Sequence, residues 1–127
     1  MGDRNGERFA QIAHDALRIV GGNNLSVWLY MEADDGWLQP ALFQDRPDAI
    51  QWFETDADFF ELVMKAWYAE APDRRWASLE MYIADGRFTT RLCYHDEVPA
   101  DDGFDASRRQ EAAQAARFGN KRVIYPD

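Results

Sequence analysis

Apolar residues recur at helical spacing at the start of the chain. Phe9, Ile12, Ala13, Ala16, Leu17 and Val20 share one face of a helix from about Arg4 to Val20. Gly21-Gly22 supplies the stop, because glycine readily takes the left-handed conformation that ends helices. The pattern then switches to alternation. Leu25 to Phe43 reads as a β-hairpin around Asp35-Gly36, a dipeptide suited to a two-residue type I′ turn. In that register Leu29 faces Leu42 and Ala33 faces Leu38 on one side of the ribbon. Trp28 faces Phe43 and Tyr30 faces Ala41 on the other. Pro40 has no N–H to give, so the second strand is expected to be an edge or to bulge there. Asp45-Arg46-Pro47-Asp48 is a turn, and Ala49 to Glu54 makes a third strand.

The next element is a helix. Thr55 followed by Asp58 resembles a capping box, and acids crowd the first turn, where the helix dipole favours them. Phe59, Phe60, Leu62, Val63, Met64, Ala66, Trp67 and Tyr68 make it apolar around most of its circumference, the mark of a helix buried on more than one side. Trp76 to His95 carries the strongest local signal, a second hairpin around Asp85-Gly86. Its register pairs Ile83 with Phe88, Met81 with Thr90 and Leu79 with Leu92 on an apolar face. Tyr82 with Thr89, Glu80 with Arg91 and Ser78 with Cys93 lie on the opposite face, so one register also yields a complementary charge pair. A polar loop from Asp96 to Phe104 leads to a last, alanine-rich helix over about Ala106 to Phe118, capped by Asp105 or Ser107 and stopped by Gly119. Arg122 to Tyr125 either adds a short strand or lies along the body. The order α-β-β-β-α-β-β-α predicts a single α+β domain spanning residues 1–127. It has an antiparallel sheet of about five strands in two hairpin-containing halves, packed with three helices.

Composition adds one strong feature. The net charge of −9 is carried by the segment Asn23 to Asp73, which holds eleven acids against two bases, Arg46 and Lys65. The flanks cancel, with three acids and three bases before it and nine of each after it. Turn and cap chemistry accounts for acids such as Asp35, Asp56 and Asp58, but not for the near-absence of bases. A concentrated acidic field with aromatic anchors suits capture of a basic protein partner. Asp34, Asp35, Asp45, Asp48, Glu54, Asp56, Asp58 and Glu61 are the candidates for steering and charge pairing, with Trp37 and Trp52 as the anchors. A pI near 4.6 and the lack of a clustered basic patch argue against direct nucleic-acid binding and against an anionic membrane surface. No apolar run approaches the roughly 20 residues of a membrane span. A single cysteine, Cys93, rules out an internal disulfide, and the expected compartment is the cytoplasm.

No chemistry announces itself. His14 and His95 lack metal-ligand spacing, the loop Asp101-Asp102-Gly103-Phe104-Asp105 lacks the alternation of a calcium loop, and no metal or cofactor is expected. Ser26, Ser78 and Ser107 have no nucleophile elbow, and Cys93 has no base beside it in sequence. An enzyme is the lesser alternative, with Cys93 or a carboxylate pair at its centre.

From Arg75 onward the chain resembles the YezG-like immunity protein family. The resemblance rests on Trp76 opening a strand, the Asp85-Gly86-Arg87-Phe88 hairpin and Tyr94-His95-Asp96-Glu97 closing it. It continues through Arg108-Arg109, Phe118-Gly119 and Ile124-Tyr125-Pro126, and the N-terminal half agrees in element order, including Trp28-Leu29-Tyr30 and Gly36-Trp37. The resemblance implies an antidote that neutralises the C-terminal domain of a toxin, often a nuclease and commonly basic. It implies no catalytic residues. The acidic loop Val98 to Asp105 does not align with the family. The element order is also similar to that of class I type III secretion chaperones, which implies a homodimer holding an extended client. Both monomer and homodimer therefore stand as expectations, and a generic interaction domain is a third reading.

Overall fold

The computed structural model describes residues 4–22, 25–97 and 106–125. Its centre is β1 (Val27–Asp34), buried at every position but the last. β1 pairs on one side with β2 (Trp37–Asp45) and on the other with β4 (Ser78–Ala84). Beyond these lie β3 (Ala49–Phe53) and β5 (Arg87–Cys93), and a last strand, β6 (Arg122–Ile124), completes the order β5-β4-β1-β2-β3-β6. The helices are α1 (Arg4–Val20), α2 (Ala57–Ala69) and α3 (Ala106–Phe118). The fold is α+β, and every strand pair is antiparallel except β3–β6.

Both hairpins adopt the register that the alternation dictates. Trp28 faces Phe43 and Leu29 faces Leu42 in the first, and Glu80 faces Arg91 and Met81 faces Thr90 in the second. Their turns differ. Asp85 and Gly86 both have positive φ, 54° and 73°, as a type I′ turn requires. In the first hairpin only Gly36 does, at 70°, so that turn is not type I′. Two contacts hold it otherwise: Asp34 Oδ1 accepts the Asp35 N–H at 2.8 Å, and the Tyr68 hydroxyl, reaching in from α2, bonds both Asp35 and Gly36.

Pro40 sits in an interior strand with no bulge. The two-residue loop makes Asp34–Trp37 a hydrogen-bonded pair, and such pairs alternate, so Met31–Pro40 is a non-bonded pair whose second side faces away from β1. β3 ends at Phe53 opposite Leu42, short of Pro40, so no bond is lost. The strand count rises from five to six because Arg122–Ile124 joins β3 in parallel. The helix α2 is capped one residue later than its sequence suggests. Extended Asp56 (φ −112°, ψ 177°), not Thr55, accepts the Phe59 N–H, at 2.9 Å.

Alternation along β1 sorts the core into two layers. Val27, Leu29 and Met31 face α1 and α2, where Ile12, Phe59, Val63 and Trp67 close the main core. Trp28 and Tyr30 face α3 and pack with Phe43, Ile50 and Phe118. The coverage is unequal. Six strands span about 24 Å while one helix covers about 10 Å, so among the described residues α3 leaves strips of its face open on either side.

Candidate partner-binding site

The first hairpin ends in Asp34, Asp35 and Trp37, and the structure brings these three together. Trp37 is 43% exposed, and both acids are exposed without an ion pair among the described residues. The tip is nonetheless held in place. Tyr68 donates its hydroxyl to Asp35 Oδ1 and accepts the Gly36 N–H at 2.6 Å. Its phenol is pushed above the ordinary tyrosine range, first by that bond to Asp35 and then by loss of water. Behind it Arg75 lies over the Trp67 and Tyr68 rings, 5.2 and 5.3 Å from their centroids, and donates to the Tyr68 carbonyl at 3.0 Å. The sequence pattern places Tyr68 only on the apolar surface of α2 and gives Arg75 no part in the tip, because their role depends on where α2 ends relative to the hairpin.

The remaining candidates lie elsewhere. Asp45 and Asp48 are at the far end of β2, about 26 Å along the strand from Trp37. Asp48 is exposed, whereas Asp45 is taken up internally by Lys121 Nζ at 2.7 Å and the Tyr82 hydroxyl at 2.6 Å. Burial, and then the Asp45 carboxylate, raise the Tyr82 phenol. Glu54, Asp58 and Glu61 are exposed around the start of α2. Asp56 shares that region but is bound to Arg18 at 3.0 Å, which also holds Asp15. Its carboxyl is held below the usual range, first by the Phe59 N–H and also by Arg18. Trp52 is half-buried on the α3 face, its ring 6.3 Å from Tyr125. The ten candidates thus occupy the hairpin tip, the α2 entry, the β2–β3 turn and the α3 face rather than one patch.

On the α3 face acids and bases meet in layers. Arg109 binds Glu32 through two nitrogens, both at 2.8 Å, and Tyr30 donates to the same carboxylate at 2.7 Å. Glu80 accepts the Trp28 indole N–H at 2.9 Å and Arg117 at 3.4 Å. The open strips beside α3 form two grooves. One, of about 580 Å³, is lined by Tyr30, Ser78, Glu80, Arg91, Cys93 and Arg117 among others. The other, of about 500 Å³, lies between Trp52, Ser107, Gln110 and Tyr125.

No protein-family model matches the chain, and no curated protein matches it either. Among the described residues no three His, Cys, Asp or Glu side chains converge to hold a metal ion. His95, Asp96 and Glu97 form one exposed 3-10 turn in which Glu97 accepts the Tyr94 N–H at 2.8 Å. The Cys93 thiol is free and half-buried. No helix among the described residues is long and apolar enough to cross a membrane. The acidic loop Val98 to Asp105 and the proposed Asp105 cap lie outside the described residues.

Proposed function

We propose that this chain is a non-enzymatic binding protein that captures a basic protein domain, acting in the cytoplasm as an immunity protein against a toxin, a nuclease among the candidates. The observation that carries this reading is the hairpin tip. An exposed tryptophan stands beside two carboxylates that have no cationic partner among the described residues, on a turn that Tyr68 already fixes. A fixed aromatic anchor binds without a large ordering cost, and uncompensated acids beside it steer a basic surface into place. Asp48, Glu54, Asp58 and Glu61 extend the field. Asp45 and Asp56 contribute less, since Lys121 and Arg18 neutralise them.

The test reads the gene beside this chain first; a basic C-terminal toxin domain there is the ligand, and the lack of one would count against the immunity reading. Calorimetry at low and moderate salt should give tight binding that weakens as salt rises. Asp34→Lys with Asp35→Lys should weaken it at least tenfold and flatten the salt dependence. Trp37→Ala should cost about 2 kcal/mol, the size of an interface hot spot. Unchanged affinity in both variants would remove the tip from the interface.

A further inference from the structure

β5 forms one edge of the sheet, and among the described residues no strand pairs with its outer side. The Asp85-Gly86 turn decides which of its backbone groups face outward. It closes on the bonded pair Ala84–Arg87, and bonded pairs alternate, so Arg87, Thr89, Arg91 and Cys93 bond back to β4. Phe88, Thr90 and Leu92 turn their N–H and C=O groups away from it. Edge strands are usually blunted by proline, a bulge or very short length. β5 has seven residues, no proline and an unbroken register, whereas the opposite edge, β6, has three residues.

The charge along this edge is opposite to that of the molecule. Arg87, Thr89 and Arg91 are exposed on the α3 side of the strand. The Glu80–Arg91 pair expected across the hairpin does not form as an ion pair. Glu80 lies opposite Arg91 in register, but its carboxylate is engaged by Trp28 and Arg117. Arg91 instead lines the 580 Å³ groove with Ser78, Cys93 and Arg117. Neither Arg87 nor Arg91 has an ion-pair partner among the described residues. On a chain of net charge −9, a strand edge that is unpaired among the described residues therefore carries two arginines without an ion-pair partner among them.

We propose that β5 is a docking edge that takes an extended acidic segment of another protein as an added strand. The outward backbone groups of Phe88, Thr90 and Leu92 supply the ladder, and carboxylates at alternate positions of the guest meet Arg87 and Arg91. A second copy is a poorer guest, because antiparallel β5–β5 pairing would crowd the arginines of two molecules that already repel each other. Arginine on an edge can instead serve to repel incoming strands. The two roles predict opposite responses to an acidic strand. This surface is separate from the hairpin tip and does not rest on the function proposed for it.

The probes are a fluorescein-labelled octapeptide of alternating valine and glutamate and its valine–lysine counterpart, titrated with the full chain and read by anisotropy. The glutamate peptide should saturate and the lysine peptide should not. Arg87→Glu with Arg91→Glu should reverse that preference. Thr90→Pro removes one outward N–H but no bond to β4, and the lost Oγ1 is buried without a partner, so the ladder stays intact. It should weaken the glutamate peptide at least about tenfold, a loss of 1.4 kcal/mol, with an unchanged melting temperature. Should Thr90→Pro fail to fold, the glutamate peptide N-methylated at alternate residues tests the same ladder on the unaltered protein and should not bind. Several results would overturn the proposal: no binding of the glutamate peptide, equal binding of both peptides, full affinity of the N-methylated peptide, or competition by glutarate at the peptide's own concentration, which would mark a small-anion site. Sedimentation showing a dimer that Thr90→Pro dissociates would assign the edge to a second copy instead.

Discussion

Glu32 is the only polar or charged residue in the buried class among the described residues, and its surroundings show why it is tolerated there. Arg109 neutralises it in a bidentate grip and Tyr30 satisfies a further lone pair, so the carboxylate leaves water without losing its partners. Burial, and then the Glu32 carboxylate, hold the Tyr30 phenol far above its ordinary range. Removing one partner should be costly. Arg109→Ala is expected to destabilise the fold by about 3 kcal/mol in urea melts, because a buried charge loses its counterion. Replacing both, Glu32→Leu with Arg109→Met, should recover most of that loss. The sequence places Glu32 on the same strand face as Trp28 and Tyr30, a signal available from alternation alone. It does not show that the face is covered, because the covering helix comes from much later in the chain.

At the scale of elements, what is local was legible. Helix α1 follows its apolar stripe, and α3 spans the predicted Ala106–Phe118 and stops at Gly119, although Ser107 lies inside the helix and does not cap it. Both hairpin registers follow from an Asp-Gly turn and alternating faces. What was missed depends on distant neighbours: Tyr68 helps hold the first turn in another type, and β6 is a strand only because β3 offers an edge. The α2 cap is a subtler case, since Thr55 and Asp56 are both good caps and the extended backbone at Asp56 decides between them. The Asp56 carboxyl is lowered in the folded state, so its stabilisation is present above the unfolded value of about 3.9 and is lost as pH falls through the folded one. Asp56→Ala should therefore lower the urea midpoint at pH 7, and the gap from the parent chain should close in melts taken at progressively lower pH below about 4.

For the whole molecule, folding redistributes a charge pattern that looks one-sided along the chain. Glu32, Asp45, Asp56 and Glu70 from the acidic segment are paired with Arg109, Lys121, Arg18 and Arg8 from the flanks. The acidic field that remains is narrower than the sequence count, centred on the hairpin tip and the entry to α2, while β5 carries basic charge at one sheet edge. That separation was not legible in a linear tally, because it depends on which acids the fold consumes. One consequence concerns the order of assembly. The partners Ala49 and Arg122 in the β3–β6 ladder are among the most distant in the chain, whereas both hairpins close over two residues. Loop-closure entropy makes the hairpins early events and the arrival of β6, with α3 before it, a late one. The last unit to join with few contacts is also the first to leave. Under native conditions amide hydrogens of α3 and β6 should exchange together, at lower free energy than those of β1. Equal protection of both would mean that the molecule opens only as a whole. A C-terminal segment that opens first would uncover Trp28, Tyr30 and Phe43 while the main core stays shut, leaving a partly folded state with one aromatic sheet face exposed.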